Sequence, residues 1–452
     1  MTHKDYSNID DAVLMEPIFK TSRKFYVTTG ILSVFVLWGV YCFSVQWREG
    51  LGVTGMNLPV SWSFYVTNFV FFIGISHAGT LISAILRMTQ AEWRRPITRV
   101  AEVITVAVLG IGGMNILIDM GRLDRITNVF MYGRYQSPLL WDATSITAYL
   151  TASSIYLFIP MIPDIAILKE YATGWRKFLY QVLSFGWTGT ERQHKILNRV
   201  IGIMAILVIP IAVSVHTVVS FVFSMTVQPM WHSTIFGPYF VVGAIFSGLA
   251  ALLIIMAVVR KVFHLEDYLQ PIHFSYLGLL VLAMTLLWFY FTFAEYLTAY
   301  FGNEPDEMRV WWSKISGDYA IYFWAMVIFN FVIPIPILAI RKLRTISGTV
   351  IASFSICIGM WLERFIIIIP TMANPRLHQL PAGSYSPTYI EWGLMMGCFA
   401  LFGLIYVMFC KLFPIVSIWE VREGREETMK IVQERVERYT PGLGRLNDKE
   451  LS

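Results

Sequence analysis

Two aspartates stand near the ends of neighbouring apolar segments. Asp119 closes the run Ile118-Asp119-Met120-Gly121-Arg122, and Asp142 falls in Ser137-Pro138-Leu139-Leu140-Trp141-Asp142. A carboxylate accepts hydrogen bonds and protons, so such a pair could take the two hydroxyl protons released when a hydroquinone is oxidised. Aromatic and Met residues nearby, Trp141 among them, could sandwich a ring, and Arg122 supplies a cation beside Asp119. The plainer reading is a pair of helix-end carboxylates balanced by Arg122 or Arg125.

Further polar groups sit deeper in apolar sequence, where a hydrocarbon surrounding penalises them and a proton relay is the functional reading. His77 lies in Ser76-His77-Ala78-Gly79-Thr80, Glu102 about one turn into the next segment, and His216 between Ser214 and Thr217. Each has a structural alternative, a side chain bonded to a neighbouring helix. Axial haem ligation would need two histidines at one depth on facing helices. Counting from the segment ends puts His77 and His216 at unequal depths, so no haem is expected. Glu295 and the consecutive Glu363 and Arg364 lie further along, with Asp318 at a segment edge. Residues adjacent in a helix point about 100° apart. Glu363 and Arg364 are therefore expected to find partners on other segments rather than each other.

The elements that must position these groups are membrane spans. The chain has 452 residues, 56% hydrophobic and 14% charged, with mean hydropathy +0.59, more apolar surface than a soluble domain of this length can hide. Ten runs reach the ~20 residues a span needs: Phe25–Trp47, Trp62–Leu86, Val100–Ile118, Leu139–Pro163, Val200–Met225, Ile235–Val259, Phe274–Tyr300, Tyr319–Ile340, Ile346–Ile369 and Tyr389–Phe413. With the N-terminus inside, the inner loops carry fifteen Lys and Arg and the outer loops seven. Both termini are thus expected in the cytoplasm. No cleavable leader is expected, because Met1–Lys24 is polar and the first apolar run is full length. A net charge of +5 spread over short loops gives nucleic-acid binding no support. Cys42, Cys357, Cys398 and Cys410 are isolated within apolar runs, without a CxxC pair for a zinc or iron–sulfur site.

Ile165–Arg199 mixes Trp175, Phe178, Leu179 and Phe185 with basic residues, which suits an amphipathic helix on the inner membrane surface. Pro160 and Pro163 are expected to close the fourth span, and Pro210, Pro334 and Pro336 to interrupt the fifth and eighth. The outer loops Asp119–Ser137 and Gly302–Gly317 are long enough to dock a partner. Asp119 and Asp142 are separated by the same interval as Glu295 and Asp318, which suggests a parallel repeat of two four-helix bundles. The fold expected is all-α, with ten transmembrane helices: spans two to five (62–225) and six to nine (235–369) as bundles, and spans one and ten flanking. Residues 1–24 and 414–452 form cytoplasmic ends of the 25–413 membrane domain, the second partly helical.

The strings "HAGTLISA", "MGR", "SPLLWD", "STIFGPYFVVGAIFSG", "IGMWLERF" and "YSPT" occur in this order and span most of residues 16 to 413. In them the chain resembles the NrfD/PsrC family of quinone-interacting integral membrane subunits, and within it the ten-span quinol-binding subunit of alternative complex III. The resemblance implies a bacterial inner-membrane subunit of a respiratory complex. Menaquinol or its quinone would be the substrate, bound near the periplasmic face of the first bundle. No haem, metal or iron–sulfur cluster would be held by this chain, which would be inactive alone. Electrons would pass to a periplasmic iron–sulfur subunit. Further partners would be a homologous NrfD-like chain and a multihaem cytochrome c or molybdopterin subunit. Asp142 matches the aspartate that contacts the headgroup; the position before "MGR" is His in that subunit and Asp119 here. The family's suspected proton coupling would engage His77, Glu102, His216, Glu295, Glu363 and Arg364. The competing functions are a secondary transporter or proton channel without a redox role, and a plain membrane anchor.

Overall fold

A computed structural model of the chain describes residues 9–377, 379–425, 429 and 430. The expected ends therefore lie partly outside the described residues, at 1–8, 426–428 and 431–452. In chain order the helices are α1 (Ile9–Phe19), α2 (Arg23–Glu49), α3 (Phe64–Met88), α4 (Thr98–Asp119), α5 (Thr127–Met131), α6 (Pro138–Phe158), α7 (Ile162–Tyr171), α8 (Trp175–Leu183), α9 (Glu191–Ser224), α10 (Phe236–Val262), α11 (Pro271–Gly302), α12 (Pro305–Ile315), α13 (Ala320–Val327), α14 (Pro334–Ala339), α15 (Ile346–Ala373) and α16 (Tyr389–Leu412). Residues 418–425 are helical as well. No strand occurs among the described residues.

Among the described residues, ten helical stretches are long and apolar enough to cross a membrane: α2, α3, α4, α6 with α7, α9, α10, α11, α13 with α14, α15 and α16. The protein is a multi-pass, all-helical membrane protein. Side-chain caps start several helices. Thr190 with Gln193 forms a capping box at α9, and Thr388 with Glu391 one at α16, each supplying partners for backbone N–H groups that the first turn leaves unpaired.

Helices α3, α4, α6–α7 and α9 pack together, as do α10, α11, α13–α14 and α15. The two groups meet along α3 and α10, and α2 lies along α16. In lipid, helix association depends on close packing and interhelical hydrogen bonds more than on hydrophobic burial. At the α2–α16 contact a Cβ on Gly397 would come 2.9 Å from the Gly39 Cα, so only small residues permit this approach. The face bearing residues 120–137 is called outer and that bearing 89–97 inner, after the charge expectation.

Pro160 and Pro163 do not end the fourth span. It passes through a 3₁₀ turn at Ile159–Met161 and runs on to Tyr171, making one stretch Pro138–Tyr171. Pro163 has no N–H to close a 3₁₀ bond onto Pro160 O, and that carbonyl is bound from outside the helix: it accepts from Arg99 Nη2 (3.0 Å) and Trp419 Nε1 (2.8 Å). The expected surface segment Ile165–Arg199 shrinks accordingly. Its first part belongs to α7, its last to α9, and α8 alone lies between spans, with Trp175, Phe178, Val182 and Phe185 exposed. Pro210 lies inside a continuous α9. Before Pro334 the chain widens into a π-turn, Ile328–Val332, a usual accommodation of a proline within a span. The outer loops hold α5 and α12 rather than irregular chain.

Candidate functional site

Asp142 sits in the second turn of α6, whose start is fixed by Pro138 in its first turn. The residue is 5% exposed and its Oδ1 is buried without a hydrogen-bond partner. Trp141 beside it donates from Nε1 to the Tyr135 carbonyl at 2.5 Å, which ties the loop before α6 to the helix. Asp119 ends α4, and its Oδ1 is also buried and unpartnered. The end of α4 is clamped from α2: Gln46 Nε2 donates to Ile118 O (2.9 Å) and its Oε1 accepts from the Tyr65 hydroxyl (2.6 Å).

The carboxylate whose field reaches Asp119 is Glu391 of α16, not Asp142. Glu391 is fully buried and accepts from Gly55 N, Ser63 Oγ, Tyr385 OH and Thr388 N. Asp119 thus faces α2, α3 and α16, while Asp142 lies on α6 at the other side of α4. Arg122, expected beside the acids, is exposed and donates from Nε and Nη2 to the two oxygens of Asp124, each at 3.0 Å. That pairing holds the Asp124 carboxyl below its ordinary value. Asp318 is exposed.

Deeper in the protein the expectation of unequal depths for the two histidines is overturned. The rings of His77 and His216 lie 3.9 Å apart, centroid to centroid. Counting residues from the ends assumes that the ends of the two spans are level, and the contact between the rings shows that they are not. Rings this close leave no room for a macrocycle between them. His77 Nε2 is 2.6 Å from Ala212 O and Nδ1 is 3.2 Å from Ile73 O. A neutral imidazole has one N–H, so it can donate to only one of these carbonyls at a time. Both nitrogens of His216 are buried without partners. Tyr149 flanks His77 at 5.5 Å, and the Ser76 carbonyl accepts from Tyr149 OH (3.2 Å) and Thr105 Oγ1 (2.7 Å). Toward the inner face, Ser83 Oγ donates to Glu102 Oε1 (2.6 Å) and meets Tyr156 OH at 3.3 Å.

The second group of helices reaches the histidines through Arg364, whose charge acts on both rings. A Cβ on Gly243 would lie 2.7 Å from Arg364 Nη2. Glycine at this point of α10 is what lets the guanidinium pass, and it settles 4.7 Å over the Phe240 ring. Glu363 and Arg364, expected to seek separate partners, do meet: Arg364 Nη1 is 3.4 Å from Glu363 Oε2, both side chains almost wholly buried. The arginine side chain is long enough to bend back across the angle that separates consecutive helical residues. Glu363 Oε1 accepts from Trp288 Nε1 at 2.5 Å, and Tyr239 adjoins the same carboxylate. Near the outer face, Glu295 accepts from Ser233. Lys314 of α12 is 3% exposed beside it. Burial pushes the Lys314 ammonium down to about 8, against the pull of Glu295. Glu295, Lys314, Tyr239, Tyr296 and Glu363 line one small cavity, large enough for water.

Sequence reasoning missed Tyr149, Tyr156, Trp288, Lys314 and Glu391. Glu391 had a signal, three residues after Thr388 at the start of a span. The tyrosines had none, since a phenol in an apolar run reads as packing. No group of three or more His, Cys, Asp or Glu placed to hold a metal occurs among the described residues.

Eight spans in two packed groups, with α2 and α16 beside them and acids and histidines buried within, define a polytopic membrane protein built around an internal polar core. The chain belongs to the polysulphide reductase NrfD family, whose profile matches residues 52–375. It is 26% identical over 434 residues to the Hdr-like menaquinol oxidoreductase integral membrane subunit of Archaeoglobus fulgidus, covering 92% of this chain and 100% of that protein. It is 24% identical over 407 residues to a putative dimethyl sulfoxide reductase membrane subunit of Halobacterium salinarum (85% and 90% covered). It is 24% identical over 415 residues to a selenate reductase subunit of Mesobacillus selenatarsenatis (87% and 95%).

Proposed function

We propose that this chain is the quinone-binding membrane subunit of a respiratory oxidoreductase complex. Menaquinol or its quinone would bind near the outer face, and electrons would be exchanged with an iron–sulfur subunit docked in the periplasm. The observation that carries the reading is the buried, unpartnered carboxylate oxygen of Asp142 at the outer end of α6, in a chain whose relatives include a menaquinol oxidoreductase subunit.

A hydroquinone gives up two electrons and two protons, one proton from each hydroxyl. The hydroxyls stand at opposite ends of the ring, so their acceptors need to stand a ring apart. Asp142 would serve one end, with Trp141 against the ring and Arg122 at the rim; Asp119, turned toward α2, α3 and α16, would serve the other only after a rotation of the outer end of α4. Each carboxylate accepts a hydroxyl hydrogen bond and then the proton; the electrons leave to the docked partner. In the reverse direction the same acids return the protons. The quinone is a substrate in this scheme, and the reaction needs the complete complex.

The polar line from Glu102 through His77 and His216 to Arg364, Glu363 and Glu295 supports coupling of this chemistry to proton movement across the membrane. The same line would serve a proton channel or transporter without redox chemistry. Proton or solute flux through the purified chain in liposomes, with no redox partner, would favour that second reading. We place the complex in the bacterial inner membrane with both chain ends in the cytoplasm. Asp142→Asn tests the main proposal. Quinol-dependent turnover of the assembled complex should fall by about 100-fold or more, the scale of a lost general base, while every partner stays bound. Turnover equal to the parent's would sink the assignment.

A further inference from the structure

The chain after α16 turns back under the first group of helices and is bound there by charge. Glu420 is 3% exposed and meets Arg87 Nη2 at 2.5 Å and Arg94 Nη1 at 3.2 Å. Its carbonyl accepts from Arg95 Nη1 at 3.1 Å. One residue earlier, the backbone N–H of Trp419 donates to Asp164 Oδ1 (2.9 Å) and its indole N–H to Pro160 O (2.8 Å). Asp164 is itself fully buried, paired with Arg99, and also accepts from Ser417 Oγ and Ile418 N. Arg99 in turn donates to Pro414 O and Ser417 Oγ. Four arginines and one aspartate from the inner ends of α3 and α4, the first turn of α7 and the loop between α3 and α4 thus converge on a segment that crosses no membrane.

What this segment covers gives it a meaning. Trp419 belongs to one buried cluster with Ala84, Tyr156, Leu197 and Ile201. Of these, Ala84 and Tyr156 adjoin Ser83 and Glu102, the innermost members of the buried polar line. Arg87, which binds Glu420, also acts electrostatically on Glu102 and Tyr156. Glu420 and Glu102 are also within electrostatic reach of each other, so the segment lies beside the inner members of that line.

We infer that residues 414–425 form a plug that closes the inner mouth above Glu102, pinned by Glu420 in its arginine cage. Docked, it excludes water from the Ser83–Glu102–Tyr156 group. Released, it opens that group to the inner solution without displacing any span, because it follows the last one. The inference concerns access to Glu102 and does not depend on quinone chemistry.

The test is thiol accessibility in the purified full-length protein. Ser83→Cys is the inner reporter and exposed Gln136→Cys the outer control. A charged thiosulfonate is the probe, and protein without a reporter gives the background of the four native cysteines. With the plug intact, position 83 should react slowly. In the Trp419→Ala/Glu420→Gln background it should react faster by about tenfold or more, with position 136 unchanged. Glu420→Asp should keep the protection, since it retains the charge. Equal rates at position 83 with and without the plug residues would overturn the inference, whether both are slow or both fast. A parallel rise at position 136 would overturn it too, because it would show general loosening rather than a local opening.

Discussion

At the scale of single residues, the buried charges carry the greatest energetic consequence. Glu363 and Arg364 share a site with almost no solvent, and Arg364 gains only the Phe240 ring besides. Removing one partner of a buried pair leaves the other charge uncompensated, at a cost of about 3–5 kcal/mol. Glu363→Gln keeps an acceptor for Trp288 and removes only the charge. It should lower the thermal unfolding midpoint in detergent markedly, and Arg364→Met added to it should restore most of the loss. A melting curve for Glu363→Gln that overlays the parent's would show that the pair does not operate as one. Lys314 is an opposite case. Its ammonium is held at about 8 by burial, below its ordinary 10.5. Its unfavourable charged form is present below the lower value and relieved as pH rises between the two. Stability should therefore rise over that interval, a slope that Lys314→Met removes in a pH series of melting points.

At the scale of elements, the plug and the fourth span make the same point about the inner face. Burial would push the Glu420 carboxyl up, yet Arg87 and Arg94, with Arg99 behind them, outweigh it and hold Glu420 below its ordinary value of 4.5. The charged groups around it are Arg87 on α3, Arg94 and Arg95 in the following loop, Arg99 and Glu102 on α4, and Asp164 on α7, with Tyr156 on α6. A carboxylate with a depressed folded value contributes stability that is complete above its ordinary value and lost as pH falls through the depressed one. Protection of a cysteine at position 83 should therefore be full near neutrality and fail below about pH 4.5, with Glu420→Gln lacking this acid step. An acid profile identical in the two proteins would show that another group pins the segment. The fourth span contributes to the same dock: Pro160 O, in the 3₁₀ turn that joins α6 to α7, is an acceptor for both Trp419 and Arg99.

For the whole molecule, the two groups of helices form a single polar interior. Arg364 from the second group acts on His77 and His216 of the first, across the α3–α10 contact. The proposed coupling of quinone chemistry to proton movement would need such a continuous interior. A tagged copy expressed in its own host should copurify with an iron–sulfur subunit bound at the outer face, where Phe130, Met131, Tyr132 and Tyr135 are exposed. Recovery of the chain alone under conditions that preserve membrane complexes would count against the assignment.

The ten spans, their order and the identities of the buried acids and histidines were legible in the sequence. An apolar run of span length declares itself by composition, and a charge within it is conspicuous for the same reason. The direction of each side chain was not legible. Whether Asp119 faces α6 or α16 depends on helix rotation. Whether His77 and His216 meet depends on how α3 and α9 are set against each other. Whether Glu363 reaches Arg364 depends on a rotamer, and the donor to Pro160 O comes from a tryptophan 259 residues away in the chain. Composition fixes which segments enter the membrane because that is a property of each segment alone. Which polar groups meet there is a property of packed pairs, so only the tertiary structure could decide it.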